Sequence, residues 1–85
     1  MKFITTKDET GKEEMFLFPD RINHDTLAAA VRSINNHPGL NWVSLLRRPV
    51  AAGFIVDGKC CGRSETLGLD ARPEDSILLV NQMDL

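Results

Sequence analysis

The chain has 85 residues, of which 42% are hydrophobic and 26% are charged. This length suits one domain spanning residues 1–85, and this composition is typical of a folded protein rather than a disordered one. Ten basic and twelve acidic side chains give a formal charge of −2, so we expect no general affinity for polyanions. The longest apolar run, Val50 to Val56, is much shorter than the roughly 18 residues that span a bilayer.

Two adjacent cysteines, Cys60 and Cys61, are the only cysteines in the sequence. They are too few, and too close together, for the disulfide framework of a small secreted domain. The first seven residues also lack the apolar segment of a secretory signal. We therefore expect a soluble cytoplasmic protein with reduced thiols and no membrane partner.

The first two predicted elements are strands over Lys2–Thr6 and Glu13–Phe18. The four residues from Asp8 to Gly11 between them have turn chemistry, because Asp accepts hydrogen bonds from nearby backbone and Gly tolerates a positive φ. Pro19 ends the second strand, since it cannot donate a hydrogen bond to a neighbouring strand. The sequence thus opens with a predicted β-hairpin.

The clearest helix signal covers residues 23–36. Asn23 is a favoured N-cap residue, and Asp25 in the first turn is stabilised by the helix dipole. The tract from Asn36 to Gly39 ends the helix, because its proline pushes the preceding residue out of the α region. Apolar residues recur within this helix at helical spacing, which predicts one buried stripe: Leu27, Ala30, Val31 and Ile34.

Two more strands are predicted after the helix, over Asn41–Arg48 and Val50–Val56. Pro49 lies between them and favours a tight corner or bend over one continuous strand. The dipeptide Asp57-Gly58, which follows an apolar run, is a strong signal for a two-residue hairpin turn. A fifth strand then begins at about residue 59.

The predicted fifth strand runs from Lys59 to about Glu65, with an extension to Leu69 as an alternative. Gly62 inside it indicates a bulge or a close backbone approach. Two alternatives remain for the C-terminal element. Pro73 followed by two acidic residues is typical of a helix start, whereas the four apolar residues Ile77–Val80 fit a terminal strand nearly as well.

The resulting element order is β-β-α-β-β-β plus a short C-terminal helix or strand. Strands that come in runs, rather than alternating strictly with helices, favour an α+β domain. We therefore predict a mainly antiparallel sheet of about five strands, with the amphipathic helix packed on one face. Self-association is a possible role for such a sheet, because its edge strands must be covered.

We find no pattern that predicts catalysis, a metal or a cofactor. The candidate ligands His24, His37, Cys60 and Cys61 lack the paired short spacings of zinc sites, and adjacent strand residues point to opposite faces. No residue pattern places a histidine base beside either thiol. The six glycines form no phosphate-binding loop. We expect a non-enzymatic protein without a cofactor.

Charge is distributed unevenly in the C-terminal half. Residues 44–63 contain four basic residues and one acidic residue, whereas residues 64–85 contain one basic residue and five acidic residues. The basic segment predicts pairing with the acidic one inside the same chain, or else contact with phosphate. The alternative function that this suggests is a nucleic-acid-binding module, which would use Arg47, Arg48, Lys59 and Arg63.

The tract from Cys61 to Asp75 is dense in glycine, charge and hydroxyl groups. It predicts either a structural corner, in which arginines hold nearby carbonyls and acids, or a recognition surface on a rigid hairpin. We expect the chain to be a protein-interaction module whose partner is another protein or a second copy of itself. Its predicted recognition face comprises Arg47, Arg48, Arg63, Ser64, Glu65 and Arg72.

The same tract carries a resemblance. The runs Cys61–Leu69 and Ala71–Asp75, with Phe18–Asp20, Asn23–Asp25 and Ala52–Phe54 before them, are similar to landmarks in small uncharacterised bacterial proteins, some of them prophage-associated. The chain departs from that pattern at its second cysteine, where the tract usually has an aromatic residue. The resemblance implies a bacterial, cytoplasmic or phage-derived accessory protein and supplies no catalytic residue.

Overall fold

The computed structural model describes residues 1–35 and 48–83, and it confirms the predicted α+β class with a mainly antiparallel sheet. The predicted strand Asn41–Arg48 lies outside the described residues except at its last position. The main sheet has the strand order β2-β1-β3-β4. Its strands are β1 (Lys2–Lys7), β2 (Glu13–Phe18), β3 (Arg48–Val56) and β4 (Lys59–Cys61). A second sheet pairs β5 (Arg63–Ser64) with β6 (Leu69–Asp70), and the helices are α1 (His24–Asn35) and α2 (Pro73–Met83).

The two helices cover opposite faces of the main sheet. Phe3 and Ile4 are neighbours on the central strand β1, both fully buried, and they point to opposite faces because strand side chains alternate. The Phe3 face packs with α2 through Met15, Ala51 and Leu79. The Ile4 face packs with α1 through Phe18, Ala28 and Ala52. This explains why both faces of the first hairpin are apolar in sequence.

The first hairpin is confirmed in both strands and in its turn. The Asp8 carboxylate accepts hydrogen bonds from the N–H groups of Thr10 at 2.9 Å and Lys12 at 3.0 Å. Gly11 adopts a φ of 90°, which a residue with a Cβ rarely adopts. The hairpin therefore closes through the turn chemistry that the sequence predicts.

Helix α1 is confirmed, but the predicted stripe is wrong at Ala30, which is exposed. Ala28 is buried instead, one turn after the buried His24. The ring of Phe18 meets that of His24 edge-to-face at 5.4 Å, and this contact fixes the rotation of the first turn. The three consecutive alanines of α1 each offer little apolar area. The packing of the larger His24 ring therefore determines that Ala28 is the alanine that faces the sheet.

Strand β3 begins before the predicted corner. Pro49 lies inside the strand, so of the two predicted alternatives the tight corner is wrong, whereas the bend corresponds to a bulge in the strand. Thr5 pairs with Ala51 and Thr6 pairs with Pro49, which leaves Val50 as an extra residue at a bulge. A bulge interrupts the hydrogen bonds between the two strands locally. A proline, which has no N–H to donate, is therefore tolerated at that point of the strand.

The hairpin turn after β3 is confirmed, whereas the single long strand after it is wrong. Asp57 and Gly58 have φ values of 52° and 76°, the two positive angles of a type I′ turn. Gly62 then adopts a φ of 83° and accepts a hydrogen bond from Ala71 N–H at 2.9 Å. The chain leaves the main sheet at Gly62 and continues as β5 in the small second sheet.

The C-terminal element is a helix, which decides between the two alternatives. It begins at Pro73, whose missing N–H would have no helical partner in that position. The Asp75 carboxylate, in the first turn, accepts from the backbone N–H of Arg72 at 2.7 Å, as in a capping box. In the part of the chain that the structure describes, no helix is long and apolar enough to cross a membrane.

Candidate interaction surfaces

The structure separates the basic residues that could form a nucleic-acid surface. Arg47 lies outside the described residues. Arg48 begins β3, opposite Lys7, whereas Lys59 lies opposite Val56 at the far end of the same strand. Eight residues of strand place these two ends about 26 Å apart. Arg48 and Lys59 therefore do not belong to one basic patch, and nucleic-acid binding stays a prediction.

Arg72 holds the start of α2 against the main sheet. Its guanidinium donates to both carboxylate oxygens of Glu13 on β2, at 2.7 and 3.1 Å. It also donates to Asp75, whose side chain is fully buried, at 2.8 and 3.3 Å. The hydroxyl of Thr5 on the central strand donates to Asp75 at 2.9 Å. Arg72 therefore makes the contacts of the structural-corner alternative.

This network shifts the pKa values of two of its members, Glu13 and Arg72. The hydrogen bonds from Arg72 lower the pKa of Glu13 below its ordinary value, with the nearby positive charges of Arg72 and Lys7 adding to the effect. The same bonds to Glu13 and Asp75 raise the pKa of Arg72. The lowered pKa of Glu13 and the raised pKa of Arg72 favour the charged forms of these two side chains, which are joined by a fork-shaped pair of charge-assisted hydrogen bonds.

Ser64 is buried and serves the turn between β5 and β6. Its hydroxyl accepts a hydrogen bond from Leu67 N–H at 3.2 Å, and its carbonyl accepts one from Gly68 N–H at 2.9 Å. Of the six residues of the predicted recognition face, Ser64 and Arg72 thus have internal structural partners. Arg48 lies at a distant strand end.

Arg63 and Glu65 are the two members of that face that the structure brings together. They line a cleft of about 170 Å³ beside the start of α1, with Lys2, Asn23, His24, Phe54 and Thr66. Arg63 also pairs with the exposed Asp70 at 3.0 Å. Small-molecule pockets usually measure about 300–1,000 Å³, so this cleft has room for little more than one side chain.

The histidine of this cleft acts as a structural residue. His24 is buried, and its Nε2–H donates to the carbonyl oxygen of Gly53 at 2.9 Å. Its ring meets Phe18 and Phe54 edge-to-face on two sides. Phe54 lies near Lys2, whose ammonium nitrogen is 5.9 Å from the ring centroid. These contacts fix the imidazole between β3 and the start of α1.

The two cysteines have different surroundings. Cys60 packs against the core on the α2 face, whereas Cys61 is exposed. Burial raises the pKa of the Cys60 thiol, and the charge of Asp75 adds to this. A raised pKa disfavours the nucleophilic thiolate. Among the described residues, no group of three or more His, Cys, Asp or Glu side chains could hold a metal ion.

A second concave surface lies between α2 and the β3–β4 turn. It is a groove of about 380 Å³, and its walls are mostly apolar. Ile77 and Val80, one helical turn apart, are 65% and 59% exposed. The other residues that line the groove are Gly58, Lys59, Ser76 and Asn81.

The sequence contained a signal for this groove that the predicted recognition face does not include. A helix cannot bury four consecutive apolar residues on one side, because successive residues are about 100° apart around its axis. In the run Ile77–Val80, Leu79 is buried and Leu78 is half-buried against the core, so the two outer residues face solvent. With this run taken as a helix, the same reasoning predicts that Ile77 and Val80 are exposed.

Comparison with protein-family models, curated proteins and solved structures gives no match to this chain.

Proposed function

We propose that this chain is a non-enzymatic protein-interaction module that self-associates through the groove between α2 and the β3–β4 turn. The observation that carries the proposal is the pair Ile77 and Val80, both more than half exposed beside an apolar groove. Contiguous exposed apolar surface is typical of protein-binding sites. The resemblance to small bacterial proteins is the ground for proposing a bacterial, cytoplasmic or phage-derived accessory role.

In a monomer of this size, the exposure of Ile77 and Val80 leaves out stabilisation that their burial would contribute. A short chain buries a smaller fraction of its surface than a long one, so association gives a small domain additional stability. Covering one fully exposed aliphatic side chain contributes about 1.5–3 kcal/mol. A partner that covers both Ile77 and Val80 therefore gains affinity from the residues that the fold leaves outside.

Charge around the groove favours a second copy as the partner. Lys59 is exposed on the groove wall, and Glu74 is exposed about one turn before Ile77 on α2. In a two-fold symmetric dimer the same patch meets itself. Two α2 helices that pack antiparallel place each Ile77 against the other copy's groove and offer each Lys59 a glutamate of the opposite chain.

A charge exchange tests this arrangement. Lys59→Glu and Glu74→Lys each create a like-charge contact across the two-fold axis, and the double variant restores opposite charges. Sedimentation equilibrium at low salt should give dissociation constants raised about three- to tenfold in each single variant, from two symmetric contacts of surface strength. The double variant should return to within about twofold of the unmodified chain.

The matched control is Glu9→Lys, which makes the same charge change in the exposed turn after β1. It should leave the dissociation constant unchanged. The arrangement is wrong when both single variants associate like the unmodified chain, or when the double variant associates no better than the singles.

A further inference from the structure

The outer edge of the main sheet at β2 is closed by one side chain from α2. The backbone N–H of Met15 donates to Oε1 of Gln82 at 2.6 Å, and Nε2 of Gln82 donates to the carbonyl oxygen of Met15 at 3.1 Å. A primary amide that bonds both groups of one residue imitates the peptide group of a neighbouring strand. Gln82 therefore occupies a strand-pairing position.

At β4, the other edge of the sheet, a side chain from α2 also bonds an edge backbone group. The N–H of Cys60 on β4 donates to the hydroxyl oxygen of Ser76 at 3.0 Å. Strand β4 has three residues, whereas β2 has six. An open strand edge templates pairing with another chain, and a longer edge offers more hydrogen bonds. An uncovered β2 edge would therefore offer more backbone hydrogen bonds to another chain than an uncovered β4 edge.

We propose that the β2 edge is a latent strand-pairing surface for the β2 strand of a second copy, and that Gln82 keeps it closed. Backbone groups that point away from β1 alternate along β2, at Glu13, Met15 and Leu17. Antiparallel pairing with Met15 opposite Met15 places Glu13 opposite Leu17 and Glu14 opposite Phe16. No glutamate then faces another glutamate, so this register carries no direct like-charge contact.

This surface is separate from the α2 groove, so its test uses a chain in which the groove is disabled. The starting variant is Ile77→Lys, and Gln82→Ala is added to it. Alanine is a good helix former, so an exposed position in the last turn of α2 should accept it. Sedimentation velocity should show self-association at least about tenfold tighter than in the starting variant, since the outward groups of Glu13, Met15 and Leu17 can form up to about six backbone hydrogen bonds with the second copy.

Two further variants decide whether β2 is the site. Leu17→Pro removes an outward N–H and should abolish the new association while circular dichroism shows an unchanged fold. Thr26→Ala, at an exposed polar position on α1 outside the groove, should leave the starting variant unchanged. Amide exchange by NMR should show Leu17 becoming protected with rising concentration in the Gln82→Ala chain.

The proposal is overturned by a Gln82→Ala chain that sediments like the starting variant at every concentration. It is also overturned by an association that survives Leu17→Pro. Gln82→Glu provides a second variant, because a carboxylate accepts from Met15 N–H but cannot donate to its carbonyl. Its dissociation constant should fall between those of the starting variant and the Gln82→Ala chain, and a constant equal to that of the starting variant counts against the proposal.

Discussion

Arg72 and Asp75 are joined by three hydrogen bonds from the arginine, one from its backbone N–H and two from its guanidinium. The carboxylate that receives them is fully buried and also accepts from Thr5 on the central strand. The same guanidinium reaches Glu13 on the edge strand. Arg72 and Asp75 together thus link the start of α2 to two strands of the main sheet, β2 through Glu13 and β1 through Thr5.

Removal of Arg72 should therefore destabilise the fold strongly. Arg72→Met leaves the buried Asp75 carboxylate without its charge partner, and we expect the free energy of unfolding to fall by about 3–5 kcal/mol. Urea denaturation monitored by circular dichroism measures this loss. The matched control is Arg63→Met, which breaks an exposed pair with Asp70 and should cost less than about 1 kcal/mol. Equal losses in the two variants would contradict the structural role of Arg72.

Acid should weaken the same network. The pKa of Glu13 lies below its ordinary value in the folded chain because Arg72 donates to the carboxylate. The stabilisation is complete above the ordinary value of 4.5 and is lost as the pH falls from there through the lower folded-state pKa. Glu13→Gln should show a smaller loss of stability over that acidic range, measured as urea midpoints at a series of pH values. Parallel curves for both chains would exclude this contribution.

Gly53 should not accept a side chain. A Cβ at this position would lie 2.5 Å from the carbonyl oxygen of Cys61 and 3.2 Å from the ring of Phe3. Because the first of these atoms is backbone, Gly53→Ala forces β3 and β4 to move apart, and we expect a loss of about 1–3 kcal/mol. Gly58→Ala is a contrasting variant, since no atom lies within 4 Å of its Cβ position and its cost comes from the positive φ alone. A Gly53→Ala chain as stable as the original would mean that the strands are not this close.

The two thiols should react at different rates. Cys60 is half-buried with a raised pKa, whereas Cys61 is exposed. In single Cys→Ser variants, a disulfide reagent should modify Cys60 more slowly than Cys61 by roughly tenfold or more. Both thiols should react at one rate in urea, which serves as the control. Equal rates in the folded chains would show that Cys60 is not protected by packing.

Local chemistry made much of the fold predictable. The turn at Asp57-Gly58, the turn at Asp8 and the start of α2 at Pro73 each depend on residues a few positions apart, and each is confirmed. The division of the long C-terminal strand at Gly62 depends on the distant Ala71. No short sequence window contains that pairing.

The candidate surfaces were harder to predict for the same reason. The sequence shows Arg72 as a polar residue of a surface tract, yet its partner Glu13 lies 59 positions earlier. Gln82 meets Met15 across 67 positions. Charge and polarity in sequence show that a residue can bind, whereas only the fold shows that its partner is already inside the same chain.

Sedimentation velocity over a wide concentration range tests the central proposal most directly. The unmodified chain should shift from monomer to dimer by about 1 mM, a weak but specific affinity, and Ile77→Lys should dimerise at least about tenfold more weakly. The matched control is Val56→Lys, at a position 54% exposed that does not line the groove, and it should dimerise like the unmodified chain. An unmodified chain that stays monomeric throughout, or an equal effect of the two lysine variants, would contradict self-association through the α2 groove.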